Sequence, residues 1–206
     1  MSEFTVPENW GICFSGNEEA FCAALDAALV TNARQPFIYI EIGIGHGDTL
    51  RAVSQYLNES GINFELHGVD IPGFGGPARD PANYDHPSRT NISTAGATAF
   101  FEKWIEAGLH ADFVFIDGCH GAPCVTDDFL HAEKLVKPGG IVAFHDTDQG
   151  CQDIHMQPHC KTGIRARAAV EKLGLLDGSR PGWKVLNETT GNKELSGHGC
   201  LFVQRI

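Results

Sequence analysis

Residues 37–49 read FIYIEIGIGHGDT, and this stretch decides the fold of the chain. Its first half is an apolar run that contains one acid, Glu41. Three glycines follow at alternate positions: Gly43, Gly45 and Gly47. The apolar run predicts a buried strand, and the glycines predict a tight turn that leads into a helix. Because glycine has no Cβ, a ligand can approach the backbone of such a turn closely.

The spacing of the glycines differs from that of a dinucleotide-binding loop. That loop reads G-x-G-x-x-G and holds a pyrophosphate at the helix N-terminus. Here the pattern is E-x-G-x-G-x-G, so the third glycine comes one position earlier and an acid precedes the first. This pattern resembles the nucleoside-binding loop of class I S-adenosylmethionine-dependent methyltransferases, whose cofactor has no phosphate and carries an ammonium group. The resemblance implies that Glu41, directly or through water, and the three glycines bind that cofactor; an ordinary strand-end acid is the alternative for Glu41.

Length and composition favour one globular domain over residues 1–206. The hydrophobic content is 42%, the charged content is 20%, and the formal net charge of −11 argues against nucleic acid as the partner. No apolar run approaches the roughly 20 residues that cross a bilayer. The first residues, MSEFTVPENWG, lack the basic and apolar regions of a signal peptide. The seven cysteines are scattered, so reduced thiols and a cytoplasmic location are predicted.

Strand-like and helix-like patterns alternate along the chain. Strands are predicted at 37–42, 63–70, 89–93, 112–117, 141–145, 183–187 and 199–204. Helices are predicted at 17–33, 48–59, 95–108, 124–137 and 163–174, and Lys137-Pro138-Gly139-Gly140 predicts a stop and a turn. The alternation predicts a Rossmann-like, doubly wound α/β fold, in which helices cover both faces of a mostly parallel seven-stranded sheet with an antiparallel closing strand.

Four of the predicted strands end in an acid, and ligands of such sheets bind at the carboxyl ends of the strands. The four acids are Glu41, Asp70, Asp117 and Asp146. Asp70 lies 27 residues after Gly43, where a carboxylate can accept both hydroxyls of a ribose; a capping or turn acid is the alternative. Ile71 is expected against the adenine face or in the core, and Thr94 with Ala95 at the adenine edge.

Two further blocks make the resemblance more specific. Residues 112–120 read DFVFIDGCH, and residues 135–146 read LVKPGGIVAFHD. Both are similar to blocks of the small-molecule O-methyltransferases of this class, the catechol-type and antibiotic-tailoring enzymes. The resemblance covers residues 37–146 and implies transfer of a methyl group from S-adenosylmethionine to a hydroxylated small molecule, with Asp117 also in the cofactor site.

The same resemblance implies a divalent cation. In metal-using members, the acid that ends strand four and the pair that ends strand five bind the ion, which here are Asp117, His145 and Asp146. The catechol pattern has Asp-Asn where this chain has His145-Asp146-Thr147. Carboxylates suit magnesium or manganese, and an imidazole shifts the choice toward manganese, iron or zinc. The alternative is a histidine base, His120 or His145, beside Asp117; in a third interpretation both histidines are structural.

Two segments are predicted to be active-site loops, 71–88 and 147–161. The first holds four prolines and three glycines. The candidate acceptor contacts are three of its residues, Arg79, Tyr84 and His86, together with Arg89, which directly follows it. The second could hold a structural zinc, although it lacks paired C-x-x-C spacing. Its candidate zinc ligands are Cys151, His155, His159 and Cys160.

Other functions stay open at this point. They are a hydroxylase-like enzyme or an N-methyltransferase on the same scaffold, an NAD-dependent dehydrogenase, and a non-catalytic cofactor-binding protein. The residues Asp117-Gly118-Cys119-His120 disfavour an amide N-methyltransferase, which often has an N/D-P-P-Y-type block there. The glycine spacing disfavours the dehydrogenase. A homodimer is also left open.

Overall fold

The computed structural model describes residues 16–31, 36–73, 76–148, 166–190 and 199–206. These residues form seven strands: β1 (Phe37–Ile42), β2 (Phe64–Asp70), β3 (Thr90–Thr94), β4 (Ala111–Ile116), β5 (Val136–Phe144), β6 (Trp183–Glu188) and β7 (Leu201–Arg205). They also form five α-helices: α1 (Glu18–Leu29), α2 (Asp48–Glu59), α3 (Ala97–Glu106), α4 (Ala122–Leu135) and α5 (Ala166–Lys172).

The strands make one sheet in the order β3-β2-β1-β4-β5-β7-β6. The neighbours from β3 to β5 are parallel, and β7 runs antiparallel to both β5 and β6. The order reverses between β1 and β4, so the crevice at their carboxyl ends is where ligands of such sheets bind. The predicted fold class is confirmed, including the antiparallel closing strand.

Helices cover both faces of the sheet and divide the core into two layers. On one face, α1 and α2 pack against alternate residues of the strands, and Phe21 lies 5.3 Å from the ring centres of Phe113 and Phe115. On the other face, α3, α4 and α5 pack against the intervening residues, with Phe129 5.8 Å from Phe144. Because β1 and β4 are buried on both faces, their sequences are almost continuously apolar.

The predicted turn at residues 137–140 is wrong. Strand β5 already begins at Val136, which pairs with Ala111, and the register then shifts before Ile141 pairs with Phe113. Gly139 has a φ of +82°, which glycine adopts without strain, so the irregularity is accommodated inside the strand. Gln204 Nε2 also donates to the carbonyl of Gly139, which fixes this start to β7.

The predicted loop 71–88 contains three short 3₁₀ helices rather than an open coil. They span Gly76–Arg79, Pro81–Asn83 and Pro87–Arg89, the last reaching one residue past the predicted end. Prolines start two of them because a fixed φ suits the first turn of a helix. Among the described helices, none has the length and apolar character of a membrane span.

Asp128 on α4 should make the stability of the protein depend on pH. It is 5% exposed, and burial together with the charge of Asp127 raises its pKa from 3.8 to about 7. Because the folded state holds the proton more tightly than the unfolded state, stability falls as the pH rises through this range. We expect Asp128→Asn to raise the free energy of unfolding by roughly 1–3 kcal/mol near pH 8 and by much less near pH 4.

Urea denaturation at the two pH values measures this difference. Asp85→Asn is the matched control, because Asp85 is exposed and an exposed charge should matter little for stability. An equal effect of Asp128→Asn at both pH values would show that the buried carboxyl is not the cause.

Candidate active site

Gly43 brings the turn after β1 into direct contact with the end of β4. Its φ is +86°, and its N–H donates to the carbonyl of Val69. A Cβ added at this position would lie 2.3 Å from the carbonyl oxygen of Asp117 and 2.5 Å from the Cα of Gly118. Since both neighbours are backbone atoms, only glycine fits here.

The other two glycines of the turn have different roles. Gly45 is exposed, with a φ of +49°, and no atom of the described residues lies within 4 Å of the position of its Cβ. That open space can admit a ligand beside the backbone. Gly47 is buried at the start of α2, and a Cβ there would lie 2.5 Å from the hydroxyl oxygen of Tyr84.

Asp70 links the glycine turn to the ends of β2 and β3. Its Oδ2 accepts from the N–H of Gly45 at 3.1 Å, and its Oδ1 accepts from the N–H of Ile71 at 2.8 Å. Thr94 is the partner of Asp70 on β3, and the N–H of Ala95 donates to the carbonyl of Asp70 at 3.0 Å. The structure therefore brings the predicted sugar and adenine residues together around Asp70, which also contacts Gly45.

Glu41 lies inside β1 rather than at its tip, and it is 1% exposed. The hydroxyl of Tyr39 donates to its Oε2 at 3.0 Å. Burial, and then the negative charge of Asp117, raise the pKa of Glu41 well above its ordinary value. A positively charged group beside Glu41 would lower that pKa again. The predicted role of Glu41 toward the ammonium group of the cofactor stays a prediction.

Two aspartates and two histidines converge at the ends of β4 and β5, and we call them the Asp-His cluster. Its members are Asp117, His120, His145 and Asp146, whose ligand atoms all lie within 4.8 Å of one another. His120 Nδ1 is 2.5 Å from Asp146 Oδ2, and His120 Nε2 is 3.3 Å from Asp117 Oδ1. His145 Nδ1 is 2.9 Å from Asp117 Oδ1. The predicted catalytic and metal residues thus occupy one place, with the cofactor candidate Asp117 among them.

The carboxylates of the Asp-His cluster favour the protonated, positively charged form of its two histidines. Although burial alone would lower the pKa of His120, hydrogen bonds and charges from Asp117 and Asp146 raise it to about 12. The same carboxylates raise the pKa of His145 to about 9, again against the effect of burial. Burial alone would raise the pKa of Asp117, but the two histidines lower it. A divalent cation would supply the same positive charge, so these residues fit a metal ion.

The backbone around the Asp-His cluster is fixed from two sides. The N–H of Asp117 donates to Ile42, and the N–H of His145 donates to Ile116, so the strands order both residues. Asp146 has a φ of +59°, a left-handed conformation that is uncommon outside glycine and that aspartate tolerates. Beyond Asp146, the N–H of Thr147 donates to the carbonyl of Gly199, two residues before the start of β7.

The candidate acceptor contacts are not brought together. Tyr84 is 4% exposed and faces Gly47, while Arg79 donates to the carbonyl of Ile71, so both lie on the side of the glycine turn. His86 and Arg89 lie against the ring of Phe64, which starts β2 at the opposite end of the sheet from the acids. The prediction that His86 and Arg89 contact the acceptor is wrong, because the segment that carries them runs back along the sheet, away from the acids.

The second predicted active-site loop is described only at Thr147 and Asp148, both of which are buried. The four candidate zinc ligands at positions 151, 155, 159 and 160 lie outside the described residues.

Two arginines support the site and are missing from the sequence-based prediction. Arg51 of α2 donates to the carbonyl of His46 and to Asp48, which braces the glycine turn. Arg167 of α5 donates to the carbonyl of Thr147, next to Asp146. Arg51 lies four residues past Gly47, one turn into the predicted helix, which is a usable signal. Arg167 is distant in sequence and offers none.

Comparison with known proteins gives the family. The family model described as "Methyltransferase domain" matches residues 40–147, which is just over half of the chain and includes the glycine turn and the Asp-His cluster. The chain belongs to this family, and with its sheet order it is a class I S-adenosylmethionine-dependent methyltransferase. A comparison with curated protein sequences gives no significant match.

Solved structures with a similar fold include O-methyltransferases. The O-methyltransferase TomG from Streptomyces achromogenes, involved in tomaymycin synthesis and solved with S-adenosylmethionine, is 18% identical; the match covers 99% of this chain and 92% of that one, with a TM-score of 0.64. The O-methyltransferase from Bacillus cereus, solved with S-adenosylhomocysteine, is 17% identical over 98% of this chain and 84% of that one, with a TM-score of 0.62. At these identities the likeness concerns the fold.

Proposed function

We propose that this methyltransferase acts on a hydroxyl group of a small molecule, with S-adenosylmethionine as the methyl donor. One observation carries the proposal. The Asp-His cluster lies at the ends of β4 and β5, and its member Asp117 shares a backbone contact with Gly43 of the glycine turn. A hydroxyl held at the cluster would therefore lie close to a cofactor held at the turn.

The cofactor would lie along the open side of the glycine turn. Asp70 would accept the two ribose hydroxyls, in exchange for its present bond to the N–H of Gly45. Ile71, Thr94 and Ala95 adjoin Asp70 and would contact the adenine. Glu41 would lie nearer the ammonium end, where a positive charge would offset its buried carboxylate.

Asp117, His145 and Asp146 would hold a divalent cation, magnesium or manganese by the sequence-based prediction. When bound, such an ion lowers the pKa of a hydroxyl that contacts it. The chain itself supplies three things: a cluster in which every side chain is at most 16% exposed, a fixed backbone at Asp117 and His145, and carboxylates that attract a cation.

The histidines are poor bases in the arrangement that the structure has. The carboxylates raise the pKa of both His120 and His145 above neutral, so each already carries its proton near pH 7. Either one could accept the hydroxyl proton only after losing its own. This favours a cation-assisted reaction over a histidine acting alone.

A panel of hydroxylated acceptors with mass detection tests the proposal. We expect a methylated product that forms only with S-adenosylmethionine, disappears after chelation and returns when a divalent ion is added. Methylation on nitrogen, or addition of an oxygen atom instead of a methyl group, would contradict O-methylation and favour another enzyme on this scaffold.

A further inference from the structure

We propose that the Asp-His cluster is a transition-metal site in which His120 is a fourth ligand, and that it prefers manganese, iron, cobalt or zinc to magnesium. The proposal rests on the proposed function only in taking this cluster as the metal-binding part of that site. It goes beyond the sequence-based prediction in two respects. His120 was predicted only as a catalytic base, and the shift from magnesium toward manganese, iron or zinc was predicted from the imidazole of His145 alone.

The geometry of the cluster suits one ion with four protein ligands. Donor atoms that bind one ion at about 2.1 Å lie at most about 4.2 Å apart. The four ligand atoms here lie within 4.8 Å of one another, so small side-chain rotations bring them around a common centre. His120 is not peripheral to this arrangement, because its two ring nitrogens are 2.5 Å from Asp146 and 3.3 Å from Asp117.

The donor types select the class of metal. Magnesium takes oxygen ligands in near-ideal octahedral geometry and gives up its waters reluctantly. Imidazole nitrogen suits zinc, iron, copper and nickel, and carboxylate suits manganese as well. Half of the donors in this cluster are imidazoles, so the set matches a first-row transition ion better than magnesium.

Burial and formal charge agree with that choice. The side chains of His145 and Asp146 are 4% and 5% exposed, and those of Asp117 and His120 are 14% and 16% exposed. With neutral imidazole ligands the cluster has two negative charges, which one divalent ion balances. The ring of Phe115 packs edge-on against His145, with 6.2 Å between the ring centres.

Calorimetric titration of the chelator-treated full chain tests the proposal without an activity assay. We expect manganese, cobalt and zinc to bind with one equivalent each, at least about 100-fold tighter than magnesium. His120→Asn should weaken manganese and cobalt binding by at least about 10-fold, since even indirect partners of metal ligands matter by 10–100-fold. His110→Asn is the matched control, because His110 is exposed and precedes β4 at the other end of the sheet.

A second variant guards against a different metal site. Cys151→Ser combined with His159→Asn should leave the manganese affinity unchanged. Loss of binding in that variant, equal affinity for magnesium and manganese, or an unaltered affinity in His120→Asn would each overturn the proposal. Melting temperature and S-adenosylhomocysteine binding are followed for every variant, so that misfolding is distinguished from the loss of one ligand.

The same protein separates this proposal from the proposed function. Transition-metal binding without methyl transfer to any hydroxyl would contradict the proposed function and leave this inference intact. Methyl transfer supported by magnesium as well as by manganese would overturn this inference and leave the proposed function intact.

Discussion

Asp146→Asn is expected to lower turnover by roughly 10³-fold or more while S-adenosylhomocysteine binds as it does to the unaltered protein. Asp146 is 5% exposed, and its carboxylate contacts both histidines of the Asp-His cluster, at 2.5 Å and 3.4 Å. Removing its charge would weaken the proposed cation site and, with it, the stabilisation of the developing alkoxide, to which a metal ion contributes several kcal/mol. Asparagine tolerates the left-handed backbone at this position, so the change tests charge and not strain.

Single-turnover kinetics and calorimetry on the same preparation separate the two effects. Asp85→Asn is the control, because Asp85 is exposed in the segment after β2. Full turnover in Asp146→Asn would remove this residue from the reaction. An equal loss of turnover and of S-adenosylhomocysteine binding would show that the change acts through the fold.

Gly43→Ala is expected to weaken S-adenosylhomocysteine binding by at least about 100-fold and to destabilise the protein by roughly 3 kcal/mol or more. The new Cβ would lie 2.3 Å from the carbonyl oxygen of Asp117, which directly follows β4, so the turn and the end of β4 must separate. A positive φ adds strain for alanine. Both effects move the glycine turn away from Asp117.

Gly61→Ala is the matched control for this prediction. Gly61 ends α2 with a φ of +67°, but none of the described residues lies within 4 Å of its added Cβ. Alanine there should cost only the strain of its backbone, about 1 kcal/mol, and should not change the affinity. If the two variants show the same affinity and stability, the close approach at Gly43 is not what matters.

Most of the fold could be predicted because the sheet is buried on both faces. The apolar runs of β1 and β4 can only be central strands, and the glycines of the turn fix where α2 begins. The start of β5 was missed because Pro138 and two glycines usually end regular structure. Here the register shift absorbs them, which depends on pairing with β4 and β7.

The candidate site could be predicted as a set of strand ends, but not as a set of contacts. The sequence placed Asp117, His145 and Asp146 on one rim, yet gave His120 only as a base. Its two-sided contact with the carboxylates depends on the conformation of residues 118–120. The burial of Glu41 beside Tyr39 could also not be predicted from the sequence. Their separation by two residues predicts only that both side chains lie on the same face of the strand. The cytoplasmic location and the oligomeric state stay predictions.

Calorimetric titration of the protein with S-adenosylhomocysteine shows whether the cofactor binds at the glycine turn. We expect saturable heat at one equivalent, no heat with NAD, and a loss of about 100-fold in affinity in Asp70→Ala, which would remove the two proposed hydrogen bonds to the ribose. Absence of heat with S-adenosylhomocysteine and S-adenosylmethionine, or an unchanged affinity in Asp70→Ala, would contradict cofactor binding at the glycine turn.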